Sequence, residues 1–456
     1  MSQEVIMKKM ITVFLLIITN ITFSQSSILE GYINIGLEQN LVLKQKEFSL
    51  NKSLAALDGA RGLFLPSVGI NARYTRAEGG RTIDFPIGDL FNPIHQTLNQ
   101  LTGVDAFPTD LENQHIQFLR EKEHNTSIEF IQPIFNTEIF YNYKLKSNLT
   151  EIERKEQEVY VRMLVKDIKT AYFNYMITVN LEKLANSTEE ILRENLRVNK
   201  SLFKNNKVTV DVVYRSEAEL SELIQNKEEA LKSKIVAAAY LNFLLNRTLD
   251  ENINEDDIFP IEKMVNYSLE EAEELAIKNR EELMQLYYAG EAAGNVIGLS
   301  KSGYLPTLSL AANYGFQGEK YRFTDEDDYW NASLVLQWNL FRGLQDQANV
   351  EQAKWDKKTV ELQKIETGNK IRLQVREAYN DLLVSLKSIE AATDRLKSSQ
   401  KTFEIIDRKY LEGMSSQIEF IDARTTKTRA ELNYILTKYN YRIKRAELEQ
   451  VLAITL

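Results

Sequence analysis

The distribution of helix-breaking residues constrains this chain more than any other feature. No proline occurs between Pro133 and Pro260, none follows Pro306, and no glycine occurs between Gly103 and Gly290. Proline removes a helix hydrogen bond and glycine costs backbone entropy, so both interrupt helices. Residues 137–246 and 344–454 are therefore open to very long helices, and their filling of Glu, Lys, Leu, Ala, Gln and Arg favours that state.

The apolar spacing agrees. Val375, Tyr379, Leu382, Leu386, Ile389 and Leu396 advance by fours and threes, with Thr393 in the one missing place. Ile168, Tyr172, Tyr175 and Val179 keep the same register 207 residues earlier. An average step near 3.5 residues predicts a coiled-coil-like seam. The helices expected over residues 137–203 and 343–410 would each be ~100 Å long at ~1.5 Å per residue. Each then meets a turn signal, Asn205-Asn206 in FKNNKVTVDVV and Gly413 in YLEGMSSQIEF, and a second helix is expected to return over 211–246 and 418–454.

The same duplication appears in short strands. Leu65-Pro66-Ser67 precedes Val68, Ile70, Ala72 and Tyr74, which alternate with polar residues; Leu305-Pro306-Thr307 precedes Leu308, Leu310, Ala312 and Tyr314 in the same pattern. A second strand is expected over 125–136, with Ile128, Phe130 and Ile134 in phase and Gln132 interrupting. Its counterpart is expected over 330–343, with Ala332, Leu334, Leu336, Trp338 and Leu340 in phase. Ile35-Gly36-Leu37 matches Leu275-Ala276-Ile277 in a helix expected before each Leu-Pro strand. Each half thus reads helix, strand, loop, strand, long helix, turn, helix. The first loop, residues 76–124, is much the longer, and nothing in it predicts a structure.

The expected divisions are a signal peptide over 1–25, a first repeat over 26–247, an acidic connector over 248–263 and a second repeat over 264–456. Met7-Lys8-Lys9, a short apolar core over 10–23 and then Ser24-Gln25-Ser26-Ser27 describe a secretory signal, with Met7 an alternative start. That core is shorter than the ~20 residues a bilayer span requires. The chain has no cysteine, which excludes disulfides, thiol nucleophiles and Cys-based zinc sites. A net charge of −9 offers no basic face for nucleic acid.

Strands of about ten residues with one apolar and one polar face suit a tilted crossing of a bilayer around a wet lumen. A soluble sheet with one face on a core shows the same alternation. The secretory signal favours the membrane. Four strands fall short of the roughly eight a closed membrane barrel needs, and open edges in lipid leave backbone groups unpaired. The barrel would then be shared between chains.

Two copies of helix, Leu-Pro strand, strand and long helical hairpin resemble the TolC-like outer-membrane efflux ducts of Gram-negative bacteria, across residues 28–454. Ala171-Tyr172, Ala378-Tyr379 and Tyr410-x-x-Gly413 add to the likeness. The resemblance implies a mostly α fold with membrane β-hairpins, in which a homotrimer builds a shared 12-stranded β-barrel and a hollow periplasmic α-barrel. It implies outer-membrane lipid around the strands, a periplasmic membrane-fusion adaptor at the helical tips, and an inner-membrane RND, ABC or MFS pump. It also implies a tip closed by a tyrosine, an arginine and acidic residues. Tyr410 falls on the tyrosine, Glu419 and Asp422 on the acids, and Ser415 stands where the arginine is expected. A Tyr410 to Asp422 hydrogen bond would then act without the arginine. Physically, a ring of carboxylates favours cations, while acids at these positions also suit a helix N-terminus.

Other candidates for chemistry are sparse. His95, His115 and His124 share the long loop without a metal-ligand spacing, and Thr324-Asp325-Glu326-Asp327-Asp328 fits either a cation site or a solvated loop tip. No phosphate loop, nucleophile elbow or His-Glu metal motif is present, so no cofactor and no catalysis are expected. Gly290, Gly294 and Gly298 recur at a spacing that permits close helix packing. Tyr329 and Trp330 suit an interfacial aromatic girdle or ordinary strand positions. The function expected is a passive exit duct for efflux or export. A type I protein-secretion conduit and a periplasmic coiled-coil scaffold are the rivals.

Overall fold

The computed structural model describes residues 27–256 and 267–454. The expected signal peptide, and the connector from residue 257 onward, lie outside them. In chain order the elements are α1 (Ser27–Gln39), α2 (Leu41–Gly62), β1 (Ser67–Arg76), β2 (Thr82–Phe85), α3 (Ile87–Thr102), β3 (Gln114–Gln117), β4 (Lys122–Phe135), α4 (Thr137–Lys204), α5 (Val210–Leu244), α6 (Leu269–Asn279), α7 (Glu281–Ser302), β5 (Thr307–Gly318), β6 (Asp328–Gln337), α8 (Gln345–Leu411) and α9 (Gln417–Leu452). The long helices α4 and α8 run 68 and 67 residues without a break. No helix among the described residues is long and apolar enough to cross a membrane.

The chain divides into two compact units, each taking parts of both sequence copies. The first, Met1–Leu54, Ser147–Ala292 and Asp356–Leu456, is helical as far as it is described. Its core repeats the duplication. In the first copy Leu29 and Tyr32 of α1 pack with Leu164, Ile168, Tyr172 and Met176 of α4 and Leu241 of α5. In the second, Ala272 and Ala276 of α6 pack with Ile371, Val375 and Ala378 of α8 and Leu448 and Leu452 of α9. The predicted seam residues Ile168, Tyr172, Val179, Val375, Leu382 and Ile389 are all buried. Fully burying such a side chain stabilises by roughly 1.5–3 kcal/mol.

Where one helix was expected before each Leu-Pro strand, there are two. Asn40 breaks the first pair: its carboxamide oxygen accepts from the amides of Val42 and Leu43, and its Nδ2 donates to Leu244 O at 2.9 Å. Arg280 takes the equivalent place, and its guanidinium donates to Val451 O at 3.3 Å. In each copy the break therefore ties to the end of the returning helix.

Two turns of unlike sequence share one geometry. Asn206 (φ 54°) and Gly413 (φ 75°) both adopt the left-handed conformation that ends a helix. The amides of Lys207 and Met414 then reach back to Leu202 O and Lys409 O at 2.9 and 2.7 Å. Asparagine tolerates this conformation better than most residues, which explains its use in the first copy.

The second unit is Ala55–Lys146 with Ala293–Trp355. Its antiparallel sheet has the order β1-β4-β5-β6, so the two hairpins pair with each other through β4 and β5 and leave β1 and β6 as edges. The long loop is folded: β2 and β3 form a separate hairpin, and α3 lies between them in sequence.

Candidate functional site

Two regions hold the expected functional residues, one in each unit. In the sheet, the pairings Val68↔Phe130, Ile70↔Ile128, Ile128↔Tyr314, Phe130↔Ala312, Leu308↔Leu336, Leu310↔Leu334 and Tyr314↔Trp330 align the apolar phases of all four strands. Successive strand side chains alternate in face, so this register makes one continuous apolar face. It is uncovered: Ile70 is 78% exposed, Leu334 64% and Trp330 76%. The opposite face is polar, and Asn313 there donates to Asn331 Oδ1 at 3.2 Å. A core-facing sheet in a soluble protein would show its apolar side buried.

The sheet also corrects several expectations. β6 ends at Gln337, so Trp338 and Leu340 lie beyond it. Gly343 and Leu344, both with positive φ, turn the chain there toward α8. The Trp338 indole donates to Tyr304 O at 3.0 Å. Gln132 breaks the apolar phase because its side chain serves the backbone, donating to Phe64 O and Pro133 O beside the bulge at Pro133/Phe135. Trp330 belongs to the apolar face, whereas Tyr329 has the opposite phase and its hydroxyl meets Asn125 Oδ1 at 2.8 Å. Of the three spaced glycines only Gly298 is required by close packing. A Cβ there would fall 2.2 Å from the Tyr141 ring, while one at Gly290 or Gly294 would meet open space.

The histidines stay apart. His95 Nδ1 lies 2.6 Å from Pro108 O, His115 Nδ1 2.5 Å from Asp84 Oδ1, and His124 is buried against the rings of Tyr321 and Phe323. Among the described residues no cluster of His, Cys, Asp or Glu is arranged to hold a metal.

At the turns of the two helical hairpins the structure gathers residues from all four hairpin helices, α4, α5, α8 and α9. The Tyr410 hydroxyl donates to Asn199 Oδ1 at 2.5 Å, and its ring stacks on Phe420 with centroids 4.8 Å apart. Within the protomer its partner is thus Asn199 of α4, not the expected Asp422. Burial pushes the Tyr410 phenol above its ordinary range, opposed by hydrogen bonds to Asn199 and Asn195. Asn199 Nδ2 donates to Asn195 Oδ1 at 3.0 Å and to Ser216 Oγ at 2.8 Å. Gln417 Nε2 adds bonds to Ser216 Oγ at 3.0 Å and Val212 O at 2.9 Å. Farther along, Arg424 of α9 pairs with Glu219 of α5 at 2.9 Å.

Glu419 closes a capping box at the start of α9. Its Oε2 accepts from the Ser416 amide at 2.7 Å, Ser415 Oγ at 2.8 Å and Ser416 Oγ at 3.0 Å. These donors, the amide foremost, hold the carboxyl below its usual range. Ser415, standing where an arginine was expected, therefore serves this cap. Asp422 is exposed one turn later.

Sequence reasoning missed Asn195, Asn199, Ser216, Gln417 and the Arg424–Glu219 pair. Asn195 and Asn199 are buried on α4 but fall off the register set by Ile168, Tyr172, Tyr175 and Val179, so the periodicity did not point to them.

Comparisons with known proteins agree with this architecture. A family model described as outer membrane efflux protein matches residues 273–453. The chain is 22% identical to outer membrane protein TolC of Escherichia coli (strain K12), over 93% of this chain and 84% of that protein. Its fold superimposes on the Campylobacter jejuni CmeC outer membrane channel with a TM-score of 0.77, at 16% identity over 93% of this chain and 85% of the other. The open state of the Neisseria gonorrhoeae MtrE outer membrane channel gives 0.72, at 16% identity over 95% and 94%. With the duplicated hairpins and the apolar sheet face, these likenesses make the chain similar, in fold and over its second half in family pattern, to the TolC-like outer-membrane efflux proteins.

Proposed function

We propose that three copies of this chain close a twelve-stranded barrel in the outer membrane and act together as a non-catalytic exit duct. On this reading the helical tips dock to a periplasmic adaptor fed by an inner-membrane pump of RND, ABC or MFS type. The observation that carries the proposal is the sheet itself: one apolar face left uncovered on a secondary structure with two open edges. In lipid that face needs no protein cover, but the edges must be paired, at several kcal/mol for each unsatisfied group. Four antiparallel strands run up, down, up, down, so β1 of one copy meets β6 of the next antiparallel, and any number of copies closes without a parallel mismatch. Three copies supply the twelve strands the family likeness implies, within the range of known membrane barrels.

At the tip, Tyr410 with Asn199, and Arg424 with Glu219, tie the second hairpin to the first and would hold the duct shut. Exposed Asp422 is the acid offered to the lumen, whereas the carboxylate of Glu419 is engaged in its cap. Reconstitution in a planar bilayer tests the duct. The protein should conduct, and trivalent cations added on the tip side should block it. Asp422→Asn should weaken that block several-fold while Glu419→Gln leaves most of it. A silent bilayer even for Tyr410→Phe/Arg424→Ala would refute a gated pore.

A further inference from the structure

The loop between β1 and β4, residues 77–121, exceeds its counterpart of residues 319–327 by far, and it is built in a way the duct reading does not use. Helix α3 turns its polar side inward. Asn92 exchanges two hydrogen bonds with the backbone of Leu111, both at 2.9 Å, and Asn99 exchanges two with Phe107 at 2.7 and 2.9 Å. Asn113 donates to Asp89 Oδ2 at 2.9 Å and accepts from the Asp89 amide at 3.1 Å. The segment lies so close that a Cβ on Gly88 would fall 2.1 Å from Leu111 O. The strap occupies the face carrying residues 88, 92, 95 and 99.

The other face carries Leu90, Phe91, Ile94, Leu98 and Leu101, a stripe at helical spacing. Leu90 is 60% exposed, Ile94 52% and Leu101 78%. A surface helix normally does the reverse, apolar side in and polar side out. Exposed apolar stripes of this kind mark contact surfaces.

We infer that the α3 stripe is covered by the same insertion of a neighbouring copy of this chain, so that the insertions form a collar at the outer rim of the barrel. This rests on the assembly proposed above. Two observations select a second copy over lipid. Residues 77–121 carry seven acidic side chains against two basic ones, Arg81 and Arg120, whereas helices that lie on anionic membrane surfaces are rich in Lys and Arg. The insertion also leaves directly from β1, the edge strand whose outer side would meet the next copy, and its two ends stay paired, Ala77 donating to Glu121 O and Phe118 to Arg81 O, both at 2.9 Å, so it rises from the rim beside that edge. The β2–β3 hairpin offers a complementary apolar surface, with Ile83 paired to Ile116 and both exposed.

A photo-cross-linking residue, p-benzoylphenylalanine, placed in the full-length, lipid-reconstituted protein at Ile94 and separately at Leu101 tests this. The expected product is a covalent dimer of this chain with the second attachment point mapping within residues 77–121, and no such product from Gln96 on the far side of the helix. Capture of lipid, of another protein or of nothing, in a preparation whose native mass is trimeric, overturns the inference. A monomeric mass removes the assembly beneath it and the collar with it.

Discussion

At the tip, individual side chains decide how the hairpins are joined. Tyr410 stands in the second copy and Asn199 in the first, so their hydrogen bond ties one hairpin to the other. Tyr410→Phe keeps the stack on Phe420 but removes the bond, leaving Asn199 Oδ1 short of a donor in a buried site. The expected cost is about 1–3 kcal/mol, read as faster amide exchange at the start of α9 and more frequent opening in single-channel records. Glu419 adds a pH dependence of definite sign. Its folded-state pKa is depressed, so its contribution is present above the unfolded value of about 4.3 and fades as pH falls through the lower, folded value. Acidification below that range should fray the first turn of α9 in exchange experiments. Glu419→Gln should show the frayed behaviour already at neutral pH, with less change on acidification.

Between elements, the duplicated core contains an exchange of volume. A Cβ on Gly36 would fall 2.3 Å from Ile168 Cδ1, yet the equivalent Ala276 is accommodated opposite Val375. The pair Gly and Ile in one copy thus becomes Ala and Val in the other, one methyl group moving across the helix contact. Gly36→Ala should destabilise by ~1–3 kcal/mol through overpacking, and Gly36→Ala/Ile168→Val should recover most of that in thermal unfolding. Additive losses would show that the contact is not shared. The equivalent tyrosines have comparable duties, Tyr172 accepting from the Asp256 amide at 3.1 Å and Tyr379 donating to Tyr267 O at 3.1 Å. Between copies, Lys169 of α4 forms a buried ion pair with Glu449 of α9. Lys169→Met removes one partner of a buried carboxylate that also contacts Arg445, and should destabilise the fold by roughly 1–3 kcal/mol. Denaturant midpoints measure it.

For the whole molecule, the apolar sheet face separates a lipid environment from water. Ile70→Arg or Leu334→Arg alters a residue exposed in the single protomer, so in water it would be nearly neutral. In a bilayer, a cation on the lipid face near the midplane costs about 2–4 kcal/mol. The variants should lose assembly yield in lipid, while Asn331→Arg on the polar face should not. Equal yields for all three would remove the sheet from the membrane. The proteins this chain is similar to are outer-membrane channels.

Helix length, hairpin turns, strand phase and duplication were legible in the residues, because each depends on local rules: breaker placement, periodicity and turn chemistry. From them followed the expectation of strands with one lipid face. Three features became visible only in three dimensions. The order β1-β4-β5-β6 pairs strands some 180 residues apart, which no local pattern encodes. Asn199, Ser216 and Gln417 look like ordinary helix polar residues until the two hairpins bring them together. Residues 77–121 read as featureless because α3 is held by side-chain to backbone bonds across up to 24 residues. Periodicity reports which face of an element is apolar; only packing decides what that face, or its polar opposite, will meet.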